Sequence, residues 1–464
     1  MKREFNLILA VLMLSLSSVS FAQKEKFSFS LKDAKEYAKE NSYVLKNSKA
    51  DIEFAKKKVW ETTAAGLPQV NAEFVYTQMF KVPEASAAFS GLGSMMNGFD
   101  SRIWALENPG MTKPDKFKTK EPAISDSDLK WGATMDLKVT QLIFSGAYLV
   151  GLQASRTYEN LTEYLDKKNI DDVLEEVENS YVLVLIAKEN KTILESTLKN
   201  LNSTLLEITE MHKEGFVEDT EVDQLQLTVK TVENTLAMLT RQVILAERLF
   251  KFQLGIDMLD EVEFTENLDD LIISANLATM SNMSFDVNSN INYKLVENKK
   301  NLSHLNLKLS KTDFLPTIAA FYNHNENFNN KAFNMTPADV VGVSLSLPIF
   351  SSGQRYAKVK QARIEYDKAE TDQIKASQGL MLDYEQTKTN YLTSLDTYKN
   401  YKINVKLSEK IFNKTAIKYK EGISSSLDLT QTQNQYLQTQ ANYFKTVLEL
   451  FKNKSKLDKL IKKY

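Results

Sequence analysis

Cysteine is absent from all 464 residues. That excludes disulfides and the lipid-modified N-terminal cysteine of a lipoprotein, and in an exported chain it points to a bacterial envelope rather than a disulfide-stapled secreted fold. No run of 18 apolar residues follows the N-terminal segment, so no transmembrane helix is expected. The three histidines, His212, His304 and His324, stand isolated, with no HExxH pattern and no carboxylate partner at metal-ligand spacing. A glycine-rich phosphate loop and a nucleophile elbow are missing too. The chain is therefore expected not to be an enzyme and to need neither cofactor nor metal. Charge of neither sign dominates: 58 basic and 60 acidic residues leave −2, which excludes a nucleic-acid groove. The late lysines (Lys452, Lys454, Lys456, Lys459, Lys462, Lys463) read as a solvated helix terminus.

Proline is missing from two long stretches, Gly146 to Gly215 and Gly353 to Gly422, each with 68 residues between its glycines. As one continuous helix, either stretch would run roughly 100 Å. Each ends alike, in Lys213-Glu214-Gly215-Phe216 and in Lys420-Glu421-Gly422-Ile423. The 207-residue offset is the same at both pairs of glycines, so the chain is written twice. In the second stretch Tyr384, Tyr391, Tyr398, Val405, Phe412 and Tyr419 recur every seven residues, the spacing of helices that mesh nearly parallel. Beyond each glycine a return helix is predicted, about 218–254 and 425–460, making two helical hairpins.

Each copy also carries a strand pair. Residues 31–65 read as a helix ended by Gly66-Leu67-Pro68, and Phe314-Leu315-Pro316 is the matching break. Val70, Ala72, Phe74 and Tyr76 then alternate with Asn71, Glu73, Val75 and Thr77, and Met135, Leu137 and Val139 with Asp136, Lys138 and Thr140. The second copy has a mixed strand near 317–326 and a clean one in which Val341, Val343, Leu345, Leu347 and Ile349 alternate with Gly342, Ser344, Ser346 and Pro348. Phe144-Ser145-Gly146 and Phe350-Ser351-Ser352-Gly353 close these segments. The first copy holds about 41 extra residues, in a proline- and glycine-rich insertion at 81–130 that is expected at the outer face.

Residues 1–22 have a basic start, an apolar run from Leu7 to Leu16 and small residues before Gln23, the pattern of a cleaved signal peptide. The expected organisation is a first repeat over 23–256, a linker over 257–290 that is acidic early on, and a second repeat over 291–464. Alternation alone fits either a soluble hairpin with one buried face or a membrane strand. Four strands cannot leave open edges in hydrocarbon, and membrane barrels start at about eight strands. Three copies would supply twelve and leave an aqueous lumen. Asp136, Lys138, Thr140, Ser344 and Ser346 would then face water, and Leu137, Val139, Val343, Leu345 and Leu347 lipid. Phe74, Tyr76, Tyr322 and Phe350 are candidates for an interfacial aromatic belt.

In the order and duplicated spacing of these breaks, turns and tips, the chain resembles the TolC-like outer membrane efflux proteins over about residues 30–460. The resemblance implies a mixed α and β membrane protein: a trimeric β-barrel in outer-membrane lipid, continued by a periplasmic α-helical barrel. It implies a passive exit duct docked to a periplasmic adaptor and an inner-membrane transporter. By carry-over, the helix tips Gly215, Phe216, Gly422, Ile423 and Ser424 are the docking region. Asp428, with Glu221 at the equivalent position, would form an acidic constriction, and Thr220 and Tyr419 would belong to the polar network that closes it. The pattern departs at Gln431, where a second acidic residue often follows, and at Ser424, where an arginine often sits. Both acids also suit plain stabilisation of a helix start. A non-pore periplasmic coiled-coil adaptor is the alternative, but it calls for a lipoyl-like all-β domain that the sequence does not show.

Overall fold

The computed structural model describes residues 26–81, 99, 102–111, 130–275, 284–329 and 337–464. The signal segment and most of the 81–130 insertion lie outside the described residues. In chain order the elements are β1 (Lys26–Phe29), α1 (Leu31–Asn41), α2 (Tyr43–Ala64), β2 (Gln69–Gln78), β3 (Trp131–Ser145), α3 (Gly146–Lys213) and α4 (Asp219–Leu254). They continue with β4 (Glu261–Phe264), α5 (Leu268–Ser274), α6 (Ile291–Thr312), β5 (Thr317–Asn327), β6 (Asp339–Ser346), α7 (Gln354–Lys420) and α8 (Ser426–Ile461). The duplication is visible in element lengths. α2 and α6 have 22 residues each, α4 and α8 have 36 each, and α3 and α7 have 68 and 67.

The predicted helix over 31–65 is two helices. The chain turns at Ser42, whose backbone is extended (φ −54°, ψ 133°) while its N–H still donates to Ala38 O. Asn41 competes for the last turn by donating Nδ2 to Tyr37 O at 3.2 Å. The second strand of copy two ends at Ser346 rather than at Ile349.

The chain divides into two compact units. One comprises residues up to 55, 158–300 and 368–464; the other comprises 56–157 and 301–367. In the first unit, heptad positions of the two hairpins form the core. Leu194, Leu201 and Ile208 of α3 pack with Leu225, Val229 and Val232 of α4, and Phe412 stacks on Tyr436 at 5.8 Å. Each such Leu or Ile contributes about 1.5–3 kcal/mol when fully buried. A second cluster gathers Tyr391, Phe250 and Tyr181 around a short parallel pair, β1 with β4, in which Phe29 lies beside Phe264. The segment read as a linker therefore supplies a strand and a helix to this core.

The late lysines are not merely solvated. Lys459 pairs with Asp172 and with Glu175 (2.9 Å), Lys462 pairs with Asp171, and Lys456 pairs with Asp383. Their regular spacing near the end of α8 looks like a solvated face in one dimension, but α3 and α7 bring carboxylates against it. Burial raises the pKa of Asp171, and the Lys462 ammonium opposes that shift.

The second unit is built on one antiparallel sheet in the order β2-β3-β5-β6, so the strand pairs of the two copies join through β3 and β5. Among the described residues, neither outer strand, β2 or β6, pairs along its outer edge.

Candidate functional site

Register fixes which side chains share a face of this sheet. Leu137 lies opposite Ala72 and His324, Val139 opposite Val70 and Tyr322, and Tyr322 opposite Val341. With Phe74, Tyr76, Val343 and Leu345 these make one apolar face, and the exposed fractions are large: 64% for Phe74, 70% for Val343 and 64% for Leu345. Leu347, expected on this face, lies past the end of β6. The other face carries Asn71 opposite Lys138, Glu73 opposite Asp136, Lys138 opposite Asn323 and Ala319 opposite Ser344. Asp136, Lys138, Thr140, Ser344 and Ser346 thus occupy a single polar face. Asn325 Nδ2 donates to Asp136 Oδ1 at 2.7 Å, tying β5 to β3 there. The apolar face ends in polar groups. Tyr322 Oη donates to Asp339 Oδ1 at 2.7 Å, and His324 Nδ1 lies 2.9 Å from the same oxygen. His324 is therefore not isolated, since the pairing of β5 with β6 sets Asp339 directly opposite it.

The hairpin tips belong to the first unit. At both, the helix ends in a left-handed glycine, Gly215 (φ 79°) and Gly422 (φ 71°). Phe216 N–H donates to Met211 O at 2.9 Å, and Ile423 N–H donates to Lys418 O at 2.8 Å, closing two equivalent caps. A side chain with a Cβ is strained at either position. The residues just beyond are bare: Phe216 is 78% exposed and Ile423 75%.

From here the tips diverge. His212 is exposed, and its Nδ1 lies 2.8 Å from Val217 O. Tyr419, its repeat equivalent, is 3% exposed. Burial, then the Glu221 carboxylate, pushes the Tyr419 phenol up to about 12, although its Oη makes no hydrogen bond of ordinary geometry. The structure thus brings Tyr419 and Glu221 together across the two hairpins. Thr220 and Asp428 stay local. Thr220 Oγ1 lies 3.5 Å from Glu218 Oε2. Asp428 completes a capping box with Ser425: Asp428 N–H donates to Ser425 Oγ (3.1 Å), and Asp428 Oδ2 accepts from Ser425 N (3.2 Å) and Ser425 Oγ (2.8 Å). Ser424, at the position where the family often has an arginine, donates its hydroxyl to the same Oδ2 at 3.2 Å. These bonds hold the exposed Asp428 carboxyl below the usual carboxylate range. Gln431 is exposed.

Sequence reasoning missed the seam between the hairpins. Ser426 Oγ donates to Gln224 Oε1 at 2.6 Å, Thr228 and Thr430 hydroxyls meet at 3.3 Å, and Lys420 Nζ donates to Glu207 Oε1 at 3.0 Å. One and two heptads beyond Ser426 lie Gln433 and Gln440. Both are buried, and Gln433 Oε1 and Gln440 Nε2 lack a hydrogen-bond partner among the described residues. The heptad spacing of buried glutamines was the available signal. Ser425→Ala should cost about 1 kcal/mol of local helix stability. The check is hydrogen exchange at Asp428 and Leu429, several-fold faster than wild type. Since the Asp428 carboxyl titrates low in the folded chain, its share of the cap persists above the ordinary carboxylate range. That share fades as pH falls through the depressed value.

Residues 301–461 match the family model described as outer membrane efflux protein. No curated protein sequence matches the chain. Among solved structures, CusC aligns over 96% of both chains with TM-score 0.70 at 14% identity. The Campylobacter jejuni CmeC outer membrane channel aligns over 93% of this chain and 85% of its own, with TM-score 0.70 at 14% identity. The Vibrio cholerae outer membrane protein VceC aligns over 93% and 95%, with TM-score 0.67 at 15% identity. The family consists of transport ducts, not enzymes. Residues 301–461, which hold β5, β6 and the second hairpin, are thus similar to outer membrane efflux proteins, and the chain as a whole has the TolC-like fold.

Proposed function

We propose that the chain is the outer-membrane exit duct of an efflux or type I secretion assembly. It would conduct substrates passively from an inner-membrane transporter to the outside. The observation that carries this reading is the four-stranded sheet with two chemically opposite faces and two outer edges left unpaired among the described residues. In hydrocarbon each unpaired backbone group costs several kcal/mol, so the edges must be covered. Three copies arranged edge to edge give a twelve-stranded ring with the Asp136, Lys138 and Ser344 face inward on water. Phe216 and Ile423, bare at the caps, suit contact with a periplasmic adaptor.

Constriction is assigned to the start of α8. A ring of three Asp428 carboxylates would attract cations and repel anions. The serine donors that hold its pKa down keep it charged throughout the neutral range. Glu221 is the second acid, placed to act on Tyr419. The seam beside it is polar, with Ser426 bonded to Gln224 and the Thr228 and Thr430 hydroxyls in contact, so water can replace these bonds if the hairpins separate. In planar bilayers, Asp428→Ala with Glu221→Ala should raise the leak conductance and weaken block by divalent cations. Unchanged conductance and block would remove both residues from the constriction while leaving the duct.

A further inference from the structure

Charge is balanced over the whole chain but not over the unit that holds the sheet. Strand register brings the four helix ends of that unit to one end of the sheet: Gln69 stands opposite Thr140, Ser145 opposite Thr317, and Thr317 opposite Ser346. α2 and α6 run toward that end, and α3 and α7 leave from it. The helical and junction segments of the unit (56–68, 146–157, 301–316 and 347–367) hold ten basic and four acidic residues, in a chain whose total is −2. The cations all lie within about three turns of a helix end that meets the sheet.

One order repeats on each helix, although two run one way and two the other. Moving away from the sheet, an exposed apolar side chain comes first, and a cation follows one or two turns later on the same face. On α2 these are Trp60, 62% exposed, and then Lys57 and Lys56. On α7 they are Tyr356, 63% exposed, and then Lys360 and Arg363, with Lys360 Nζ 5.5 Å from the Tyr356 ring. Leu315 is followed back along α6 by Lys311 and Lys308, and Leu149 of α3 by Arg156. Acids within the collar neutralise only part of it. Glu61 pairs with Lys58 at 2.8 Å, Asp313 with Lys358 at 2.6 Å and Asp367 with Arg363 at 3.0 Å. Lys56, Lys57, Lys308 and Lys311 make no ion pair among the described residues.

We propose, on the reading that the sheet spans the outer membrane, that this collar binds anionic phospholipid headgroups of the periplasmic leaflet. An indole or phenol at the sheet's end suits the boundary between hydrocarbon and headgroups. The lysine and arginine stems beyond it lie along apolar surface and carry their charge to the level of the lipid phosphates. A zwitterionic headgroup sets an ammonium beside its phosphate and gains less from unpaired cations than phosphatidylglycerol does. Screening limits the attraction to about 8 Å at physiological ionic strength, so it acts on lipids that touch the collar rather than on the membrane at large.

Trp60, one of three tryptophans, is a reporter inside the collar. The test uses the full-length chain with Trp104→Phe and Trp131→Phe, reconstituted in vesicles. Brominated phosphatidylglycerol should quench Trp60 with an apparent affinity at least about fivefold that of brominated phosphatidylcholine, the factor that one near-surface cation contributes. Lys56→Gln, Lys57→Gln, Lys308→Gln and Lys311→Gln together, or about 0.5 M salt, should bring the two lipids within about twofold. Lys399→Gln with Lys410→Gln, both on α7 far from the sheet in sequence, should leave the preference intact. Equal quenching by the two lipids, or a preference that survives the fourfold variant, overturns the headgroup site and leaves the duct. Loss of the preference to inorganic phosphate at matched ionic strength overturns it in favour of a free-anion site. Absence of quenching in a complex still migrating as a trimer means that another copy covers Trp60, and overturns it too. A chain that does not enter vesicles overturns the duct and the collar together.

Discussion

Leu137→Arg should nearly abolish assembly in the outer membrane, while Thr140→Arg, three residues along the same strand, should leave assembly intact. Leu137 sits in an inner strand of the sheet between Ala72 and His324, on the face that also carries Val139, Tyr322 and Val341. An arginine on the lipid side of a barrel costs about 2–4 kcal/mol at mid-membrane, roughly 30- to 900-fold in the folding equilibrium. Thr140 lies opposite Gln69 and Phe321 on the polar face. An arginine there meets water and should change ion selectivity instead. The measurement is the amount of heat-modifiable protein in the outer-membrane fraction, with single-channel recording of whatever inserts. If both variants assemble alike, the faces are assigned wrongly. If Thr140→Arg alone fails, they are inverted.

Much of this arrangement was legible in the sequence because it is periodic. Heptads and alternation are one-dimensional signals, and the duplication doubles each of them. The return helices predicted near 218–254 and 425–460 are Asp219–Leu254 and Ser426–Ile461. Alternation also grouped Asp136, Lys138, Thr140, Ser344 and Ser346, since strand parity alone decides a face. What depends on contacts far apart in sequence was not legible. Lys459 and Lys462 look like a solvated end until α3 presents Asp172 and Asp171 to them. The break at Ser42 has no proline or glycine to announce it. For Asp428 the sequence offered two readings, and the structure supplies the capping geometry for one of them. The same acid can be both a cap and a member of a charged ring, because the cap uses Oδ2 and leaves the residue exposed. Tyr419 beside Glu221 required knowing that the end of α7 meets the start of α4, which no local pattern encodes.

The largest stability effect should come from α4, where two phenylalanines two residues apart have opposite surroundings. Phe250 is 0% exposed and Phe252 54%. Phe250 stands at the centre of an aromatic nest, with ring centroids 5.1 Å from Phe264, 5.6 Å from Tyr181 and 6.3 Å from Phe29. Those rings hold β1 against β4, and Tyr181 Oη donates to Phe29 O at 3.1 Å beside them. Two four-residue strands joined in parallel have little stability of their own, so the nest is what keeps residues 26–29 and 261–264 together. Phe250→Ala removes a fully buried ring and leaves a cavity, at a cost of about 3–5 kcal/mol. Local opening at Val262 and Phe264 should then be faster by about two to four orders of magnitude in hydrogen exchange. Phe252→Ala in an isolated chain should change those amides by less than about threefold, since an exposed ring contributes under 1 kcal/mol. In the proposed ring of copies the second value becomes informative in its own right. A cost for Phe252→Ala that approaches that of Phe250→Ala would mean that a neighbouring copy covers Phe252, and the comparison of detergent-dissociated with assembled protein reads that difference directly.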